Sequence, residues 1–478
     1  MTPRPAPAGA LRFEMLDARS IIRRELALQI HAAAVAGVDP RLVTLGAVSA
    51  RLPSAPEPTW IIAVGKASAA MAGAAVDALD ARGVEPAGGV IVGPTQEPPP
   101  HERLVSVTGD HPIPGERSVA ASAAIVECVE QIGGAGTVLV LLSGGATSLV
   151  ATPASGVDGR DLIRLFEGLL GSGADITVMN AIRKRFTQWG AGRLARALAP
   201  ARVHCLIVSD VVGDDIASIG SGPCAPDPLD ASDVSSLITR HGLEPFVPRA
   251  LRQLLDAPGS ELDSPPRPAD DTFARVECAI ILGNGTALEN GERRARELGA
   301  APVKVVAEPL VDDATFTAQR IVDELVRFRE AGLPEANGAA TGSSENAEFA
   351  CMLWGGETTV RLGPGVSPPG GRCQELALAA ADALRAEGDR GAGITLLAAG
   401  TDGRDGPTDA AGAVVDAATW DAIRDAGREP GEDLLEHRSY AALDAVGALI
   451  RTGPTGTNVG DVVVGIVERP SREARERG

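Results

Sequence analysis

Nine short apolar runs, rich in Val, Ile, Leu and Ala, recur along the chain at residues 60–64, 89–92, 137–142, 203–208, 275–282, 303–306, 349–353, 394–398 and 462–467. None alternates cleanly with polar residues, and each is too short for the buried stripe of a helix. Strands covered on both faces read this way. Between them lie Ala- and Leu-rich stretches with amphipathic helical spacing, such as 67–81, 118–131, 181–199, 285–298, 315–331 and 372–386. The alternation predicts an α/β protein in two domains, with mostly parallel sheets and helices on both faces. The segment 256–271 (DAPGSELDSPPRPADD) is rich in Pro, Asp and Ser and separates two halves of similar size. It is expected to be a linker between an α/β domain at 10–255 and a second at 272–470. The small, polar stretch 332–348 reads as an exposed loop, and 471–478 as a frayed tail.

Composition narrows the function classes. The chain has 478 residues, 44% of them hydrophobic, so long disorder is excluded and substantial cores are available. Its formal net charge of -19 repels phosphate backbones, which argues against nucleic-acid partners. A small phosphate ligand stays open, because local amides and one or two cations suffice for it. Aromatic residues make up only 3%, which disfavours base-stacking platforms. No run approaches the length of a membrane span, and the Pro/Ala-rich start lacks the apolar core of a secretory leader. Six cysteines fall in no CxxC pair, and those in VHCLIVS, VECAIIL and FACMLW read as buried thiols. A reducing cytoplasm is the expected compartment. A homodimer is compatible with the sequence but not read from it.

In open parallel sheets, ligands bind beyond the carboxyl ends of strands. Five predicted strand ends carry small or ionisable residues there. Gly65-Lys66 opens a helix after the first run, where a lysine beside amide donors suits an anion. Ser143-Gly144-Gly145-Ala146-Thr147-Ser148 offers amides and three hydroxyls, either as a phosphate nest or as a tight turn. Asp210 ends an apolar strand, where desolvation and nearby cations tune a carboxylate; a helix cap is the plainer reading. Glu357, Asp402, Asp405 and Asp409 are candidates for Mg²⁺, which needs one or two carboxylates beside ligand oxygens. Arg372, after Gly370-Gly371, could grip a carboxylate or phosphate with its fork. The loop 452–458, with Thr455 at its centre, is Gly/Thr-rich and phosphate-friendly.

Other features read as structural. His111 lies in the rigid turn HPIPG, and Arg183, Lys184 and Arg185 read first as solvated charge on a helix. No Walker A or kinase signature is present. The nearest dinucleotide fingerprint, Gly283-Asn284-Gly285-Thr286-Ala287-Leu288, ends in Leu where Gly or Ala is usual. Glu308 stands where a ribose-binding acid would be expected.

The motifs together resemble the type II glycerate kinase family, over most of the chain from about residue 21 to 467. The supporting segments are IIAVGKASAAM, VTGDHPIPGERS, VLVLLSGGATSLV, MNAIRKRFTQWGAGRLA, LIVSDVVGDDIASIGSGPCAPDP, WGGETTV, GGRCQELALA, AAGTDGRDGPTDAAGAVVD and TGPTGTNVGDVVV. The resemblance implies an N-terminal Rossmann-like domain, a C-terminal MOFRL-type domain and an active site in the cleft between them. It implies ATP-dependent phosphorylation of D-glycerate, giving 2-phosphoglycerate. Its catalytic positions fall on Lys66, Asp210 and Arg372. Nucleotide contacts are expected from Gly65, Ser143, Gly144, Gly145, Ser148, Gly356, Glu357 and Thr455, and Mg²⁺ contacts from Glu357 and Asp402. Three positions depart from the family's usual pattern: Cys373 replaces an Asn, Ala146-Thr147 follows where a third Gly is common, and Gly190 stands in place of a Lys. Two other readings are carried, an NAD(P)-dependent hydroxypyruvate reductase and a non-catalytic sensor of a small acid or nucleotide.

Overall fold

The computed structural model describes residues 17–52, 57–174, 176–257, 262, 265–331, 349–362 and 369–469. The expected loop at 332–348 and tail at 471–478 lie outside them. So do parts of the expected linker and the start of the first expected domain.

Six strands form the first sheet: β1 (Thr59–Val64), β2 (Gly88–Gly93), β3 (Leu104–Thr108), β4 (Thr137–Leu142), β5 (Arg202–Val208) and β6 (Val276–Leu282). All pair in parallel, in the order β3-β2-β1-β4-β5-β6. The lack of alternation in the sequence now has its reason. In β1, Ile62 and Val64 join a core with Ile125 and Ile132 of helix Glu116–Ile132, while Ile61 and Ala63, facing the other way, are equally buried. Residues on the two faces of a strand both leave water only when helices cover both sides.

The second sheet contains β7 (Val303–Val305), β8 (Phe349–Gly356), β9 (Ile394–Gly400), β10 (Gly412–Asp416), β11 (Leu449–Ile450) and β12 (Asp461–Glu468), in the order β11-β10-β9-β12-β8-β7. Only β7 and β8 pair in parallel; the other four pairings are antiparallel. The expectation of mostly parallel sheets therefore holds for the first sheet and is corrected for the second. Buried antiparallel strands have the same unbroken apolar runs as parallel ones, so periodicity could not separate them. Helices Ala314–Glu330 and Arg372–Ala386 share a core with one face, through Ile321, Leu325, Leu376 and Ala380 against Met352, Trp354, Leu396 and Val463.

The domain boundary also moves. The chain divides into a first unit, Asp39–Gly283, and a second made of Met1–Val38 and Asn284–Gly478. Helix Ala18–Ala36 belongs with the second sheet: its Arg24 pairs with Asp416 at 3.1 Å, and Arg23 donates to the Thr395 hydroxyl at 3.2 Å. The Pro-rich 256–271 stretch is not the boundary. Its described residues are bound into the first unit, Leu262 O accepting from Arg185 and Pro266 O from the Asp227 amide, and the chain then enters β6.

The helix expected at 181–199 is broken into helix Ile176–Arg183, a 3₁₀ turn Lys184–Phe186 and helix Arg193–Leu198. Ala191 and Gly192, just before the last helix, adopt left-handed φ of 57° and 77°, which a continuous right-handed helix cannot contain. The basic triplet is not solvated. Arg185 and Asp227 are fully buried and lie 3.4 Å apart, and Lys184 Nζ reaches the other Asp227 oxygen at 3.1 Å. Arg183 is buried over the Phe166 ring, 4.9 Å from its centroid, and burial lowers its pKa to about 10.

Candidate active site

In the first unit, β1 and β4 are neighbours at the point where strand order reverses: the chain runs outward from β1 to β3, then returns to β4. Loops at such a switch point form a crevice for ligands. The loop after β1 carries Gly65 and Lys66, and the loop after β4 carries residues 143–148. Backbone hydrogen bonds lace the two together. Lys66 N donates to Gly144 O at 2.9 Å, and Ala67 N to Ser143 Oγ at 3.0 Å. Gly65 has φ of +133°, and a Cβ there would stand 2.5 Å from Ser143 O, so the approach requires glycine. The hydroxyls expected to cradle phosphate instead hold the loop's shape. Ser143 accepts from Ala67, Ser148 Oγ donates to Gly145 O at 3.2 Å, and Thr147 Oγ1 accepts from Ser221 at 3.0 Å. The amides of Gly144 and Gly145 take no partner among the described residues, which makes them the donors available to an anion.

Asp210, just beyond β5, reaches the same loop. A Cβ on Gly144 would lie 2.0 Å from Asp210 Oδ2, so the carboxylate fills the space a side chain would take. Burial raises its pKa, and the positive charge of Lys66 offsets part of that rise. Its side chain makes no hydrogen bond or ion pair to another residue among the described ones. An unpartnered, partly desolvated carboxylate beside a lysine is suited to hold or accept a substrate proton. His111 belongs to this cluster too. Its Cδ2 lies 2.9 Å, and Lys66 Cγ 3.6 Å, from where a Cβ on Gly145 would stand. Desolvation and the Lys66 charge lower the His111 pKa. Its sequence context, a proline-rich turn, had suggested only a structural role. The spatial neighbour is 34 positions away, beyond the reach of local pattern.

In the second unit, Arg372 is the first residue of helix Arg372–Ala386. Asp405 sits at that helix N-terminus, accepting from Gln374 N at 2.8 Å and Cys373 N at 3.2 Å. Burial, reinforced by the Asp461 charge, lifts Asp405 to about 7 against those amides. Arg372 donates from Nε and Nη2 to the two oxygens of Asp461, at 2.6 and 2.8 Å, and its Nη1 lies 3.0 Å from Glu357 Oε1. Desolvation opposes the Arg372 charge, and the Asp461 carboxylate outweighs it, holding the guanidinium above its ordinary range. Asp461 escapes a reading that looks beyond the carboxyl ends of strands, because it stands at the start of one. It heads β12, which runs antiparallel between β8 and β9, so its first residue pairs with Gly356 and Gly400 at their last ones. The motif TGPTGTNVGDVVV held the signal. Thr455 Oγ1 donates to Thr401 O at 2.6 Å and its amide to Asp402 O at 3.3 Å, tying down the loop after β9.

Two family models match the chain: "Domain of unknown function (DUF4147)" over residues 26–256 and "MOFRL family" over 350–461. A protein of Thermotoga maritima named D-glycerate 2-kinase is 35% identical over 414 residues, covering 85% of this chain and 90% of its own. The chain belongs to the glycerate kinase family. A crystal structure of a glycerate kinase from Thermotoga maritima superposes with a TM-score of 0.76 at 32% identity, covering 93% of this chain and 99% of that one. A chain from Agrobacterium vitis that carries a provisional hydroxypyruvate reductase name is 36% identical, covering 94% of each.

The glycerate kinase fold disposes of the dinucleotide fingerprint. A Rossmann turn must link two parallel neighbours of one sheet. Here Gly283 follows β6, in the first sheet, and helix Asn284–Glu297 leads to β7 in the second. Asn284 donates to Val459 O at 2.8 Å and Asp461 O at 2.9 Å, a structural task. Of the candidate Mg²⁺ carboxylates, Asp405 caps a helix, and exposed Asp409 pairs with Arg451 at 3.2 Å and accepts from Tyr440 at 2.7 Å. Among the described residues, no group of three or more metal-binding side chains converges. No helix among them is long and apolar enough to cross a membrane, and all six cysteines are free thiols.

Proposed function

We propose that this chain is an ATP-dependent glycerate kinase that transfers the γ-phosphoryl group to D-glycerate and gives 2-phosphoglycerate. The observation that carries the reading is the cradle at the switch point of the first sheet: Lys66 after β1, the amides of Gly144 and Gly145 after β4 and the Asp210 carboxylate after β5 meet there, the amides and the carboxylate without partners among the described residues. Phosphoryl transfer needs positioning and charge neutralisation more than covalent chemistry. The Asp210 carboxylate orients the acceptor hydroxyl and receives its proton. Lys66 and the amides of Gly144 and Gly145 hold phosphoryl oxygens and meet the charge that builds there. Arg372 supplies a guanidinium fork for a substrate anion.

ATP enters as its Mg²⁺ complex. The donor set fits a metal carried mainly by nucleotide oxygens and water, because one or two protein carboxylates then suffice. Asp402 accepts the Arg404 amide at Oδ1, 2.9 Å away, and its other oxygen takes no partner among the described residues, while Glu357 lies 3.0 Å from Arg372 through Oε1. These two would complete the Mg²⁺ shell and help neutralise the polyphosphate. Free thiols throughout favour a reducing compartment, which we take to be the cytoplasm. The reductase reading draws on the provisional name of two Agrobacterium vitis relatives, and the dinucleotide fingerprint that supported it joins strands of two different sheets.

The test is ATP consumption by the purified protein with D-glycerate and Mg²⁺, with the product read by phosphorus NMR. A signal of 2-phosphoglycerate is expected. A 3-phosphate product would overturn the acceptor assignment. No turnover, combined with nicotinamide-dependent reduction of hydroxypyruvate, would overturn the kinase reading.

A further inference from the structure

The two carboxylates on Arg372 are held very differently. Asp461 heads β12, where pairing with both β8 and β9 fixes its backbone. Its side chain is only 5% exposed and takes two nitrogens of the guanidinium, Nε and Nη2. Glu357 is 43% exposed and approaches one nitrogen, Nη1. Releasing Asp461 would leave a buried charge without its partner, which is strongly unfavourable, whereas an exposed carboxylate rehydrates readily. The Asp461 bond is therefore the harder of the two to break. A guanidinium bound along its Nε–Nη2 edge still presents a second edge, Nη1–Nη2, with two parallel N–H bonds.

We propose that Asp461 is the positioning residue of Arg372, locking the guanidinium so that its Nη1–Nη2 edge meets a substrate anion with two coplanar oxygens. This rests on the reading that Arg372 binds substrate. The anion chemistry is shared by the acceptor's carboxylate and the nucleotide's phosphates, and kinetics separate the two. Asp461 itself touches no substrate. Its effect passes through Arg372, as with outer-shell partners that orient a binding group.

The experiment compares Asp461→Asn, Asp461→Glu, Arg372→Ala and the double variant Asp461→Asn/Arg372→Ala, by steady-state kinetics in D-glycerate and in MgATP. Asp461→Asn is expected to raise one KM roughly tenfold, the size of a coupling within one hydrogen-bond network, with a smaller change in kcat. A rise confined to D-glycerate marks the carboxylate as the bound anion; a rise confined to MgATP marks the phosphates. Asp461→Glu, which keeps the charge, should fall between wild type and Asp461→Asn. In the Arg372→Ala background, Asp461→Asn should cost nothing further. Wild-type constants in Asp461→Asn, or an equal loss in both backgrounds, would overturn the proposal. If Asp461→Asn does not fold, Asp461→Glu decides: a KM raised severalfold supports the proposal and an unchanged KM overturns it. Wild-type activity in Arg372→Ala would instead sink the reading of Arg372 as a substrate-binding residue.

Discussion

The Asp210 carboxylate occupies the space where a side chain on Gly144 would begin: a Cβ there would meet Oδ2 at 2.0 Å. A residue after β4 and one after β5 are thus fitted to each other, and the Gly144 amide stays beside the carboxylate. Gly144→Ala should push Asp210 aside. We expect kcat to fall by about a hundredfold or more, the usual cost of misplacing a reacting group by an ångström. Far-ultraviolet circular dichroism should be unchanged. Turnover within a few-fold of wild type would show that Asp210 is not held for catalysis.

Lys66→Ala should lower kcat/KM by roughly 10²–10³, as removal of a charge-stabilising donor does. It should also move the pH profile. Lys66 holds down the pKa of Asp210 against burial. Without it the carboxylate binds its proton more tightly, so the acid limb of residual activity shifts to higher pH. An acid limb that stays in place would mean that Asp210 is not the group titrating in the rate.

Asp405 makes stability depend on pH. Its folded pKa of about 7 lies above the ordinary 3.8, so the folded state binds the proton more tightly than the unfolded chain. The sign follows: stability is greatest below about 3.8 and is lost as pH rises towards 7. Asp405→Asn is neutral at every pH and cannot show this loss. The variant should therefore be more destabilised relative to wild type at pH 5 than at pH 8. Thermal unfolding at the two values reads the difference, and equal differences would remove Asp405 as the source.

Asp227 is the sole carboxylate paired with buried Arg185 among the described residues, and it also holds Lys184. Removing one partner of a buried ion pair leaves the other charge uncompensated. Asp227→Ala should cost about 3–5 kcal/mol in urea unfolding of the first unit. A loss under ~1 kcal/mol, the size of a surface pair, would contradict the burial.

The sequence by itself determined the α/β class, because buried strands and amphipathic helices carry distinct apolar patterns over a few residues. It also marked candidate loops, because Gly-Lys and Ser-Gly-Gly directly follow apolar strands and Gly-Gly-Arg opens an Ala- and Leu-rich helix. Lys66 and Arg372 stand out as candidates for that reason, and Asp210 because it ends an apolar strand. What only the tertiary structure decided concerns long-range pairing. Strand direction in the second sheet, the place of helix Ala18–Ala36, His111 beside Lys66 and Asp461 beside Arg372 all depend on residues tens to hundreds of positions apart. The solvated look of Arg183–Arg185 failed on the same ground. A basic triplet has one local pattern whether it faces water or, as here, packs Arg183 on the Phe166 ring and pairs Lys184 and Arg185 with one buried aspartate from a later loop. Local periodicity reports which faces leave water; it carries no information about which distant group each face meets.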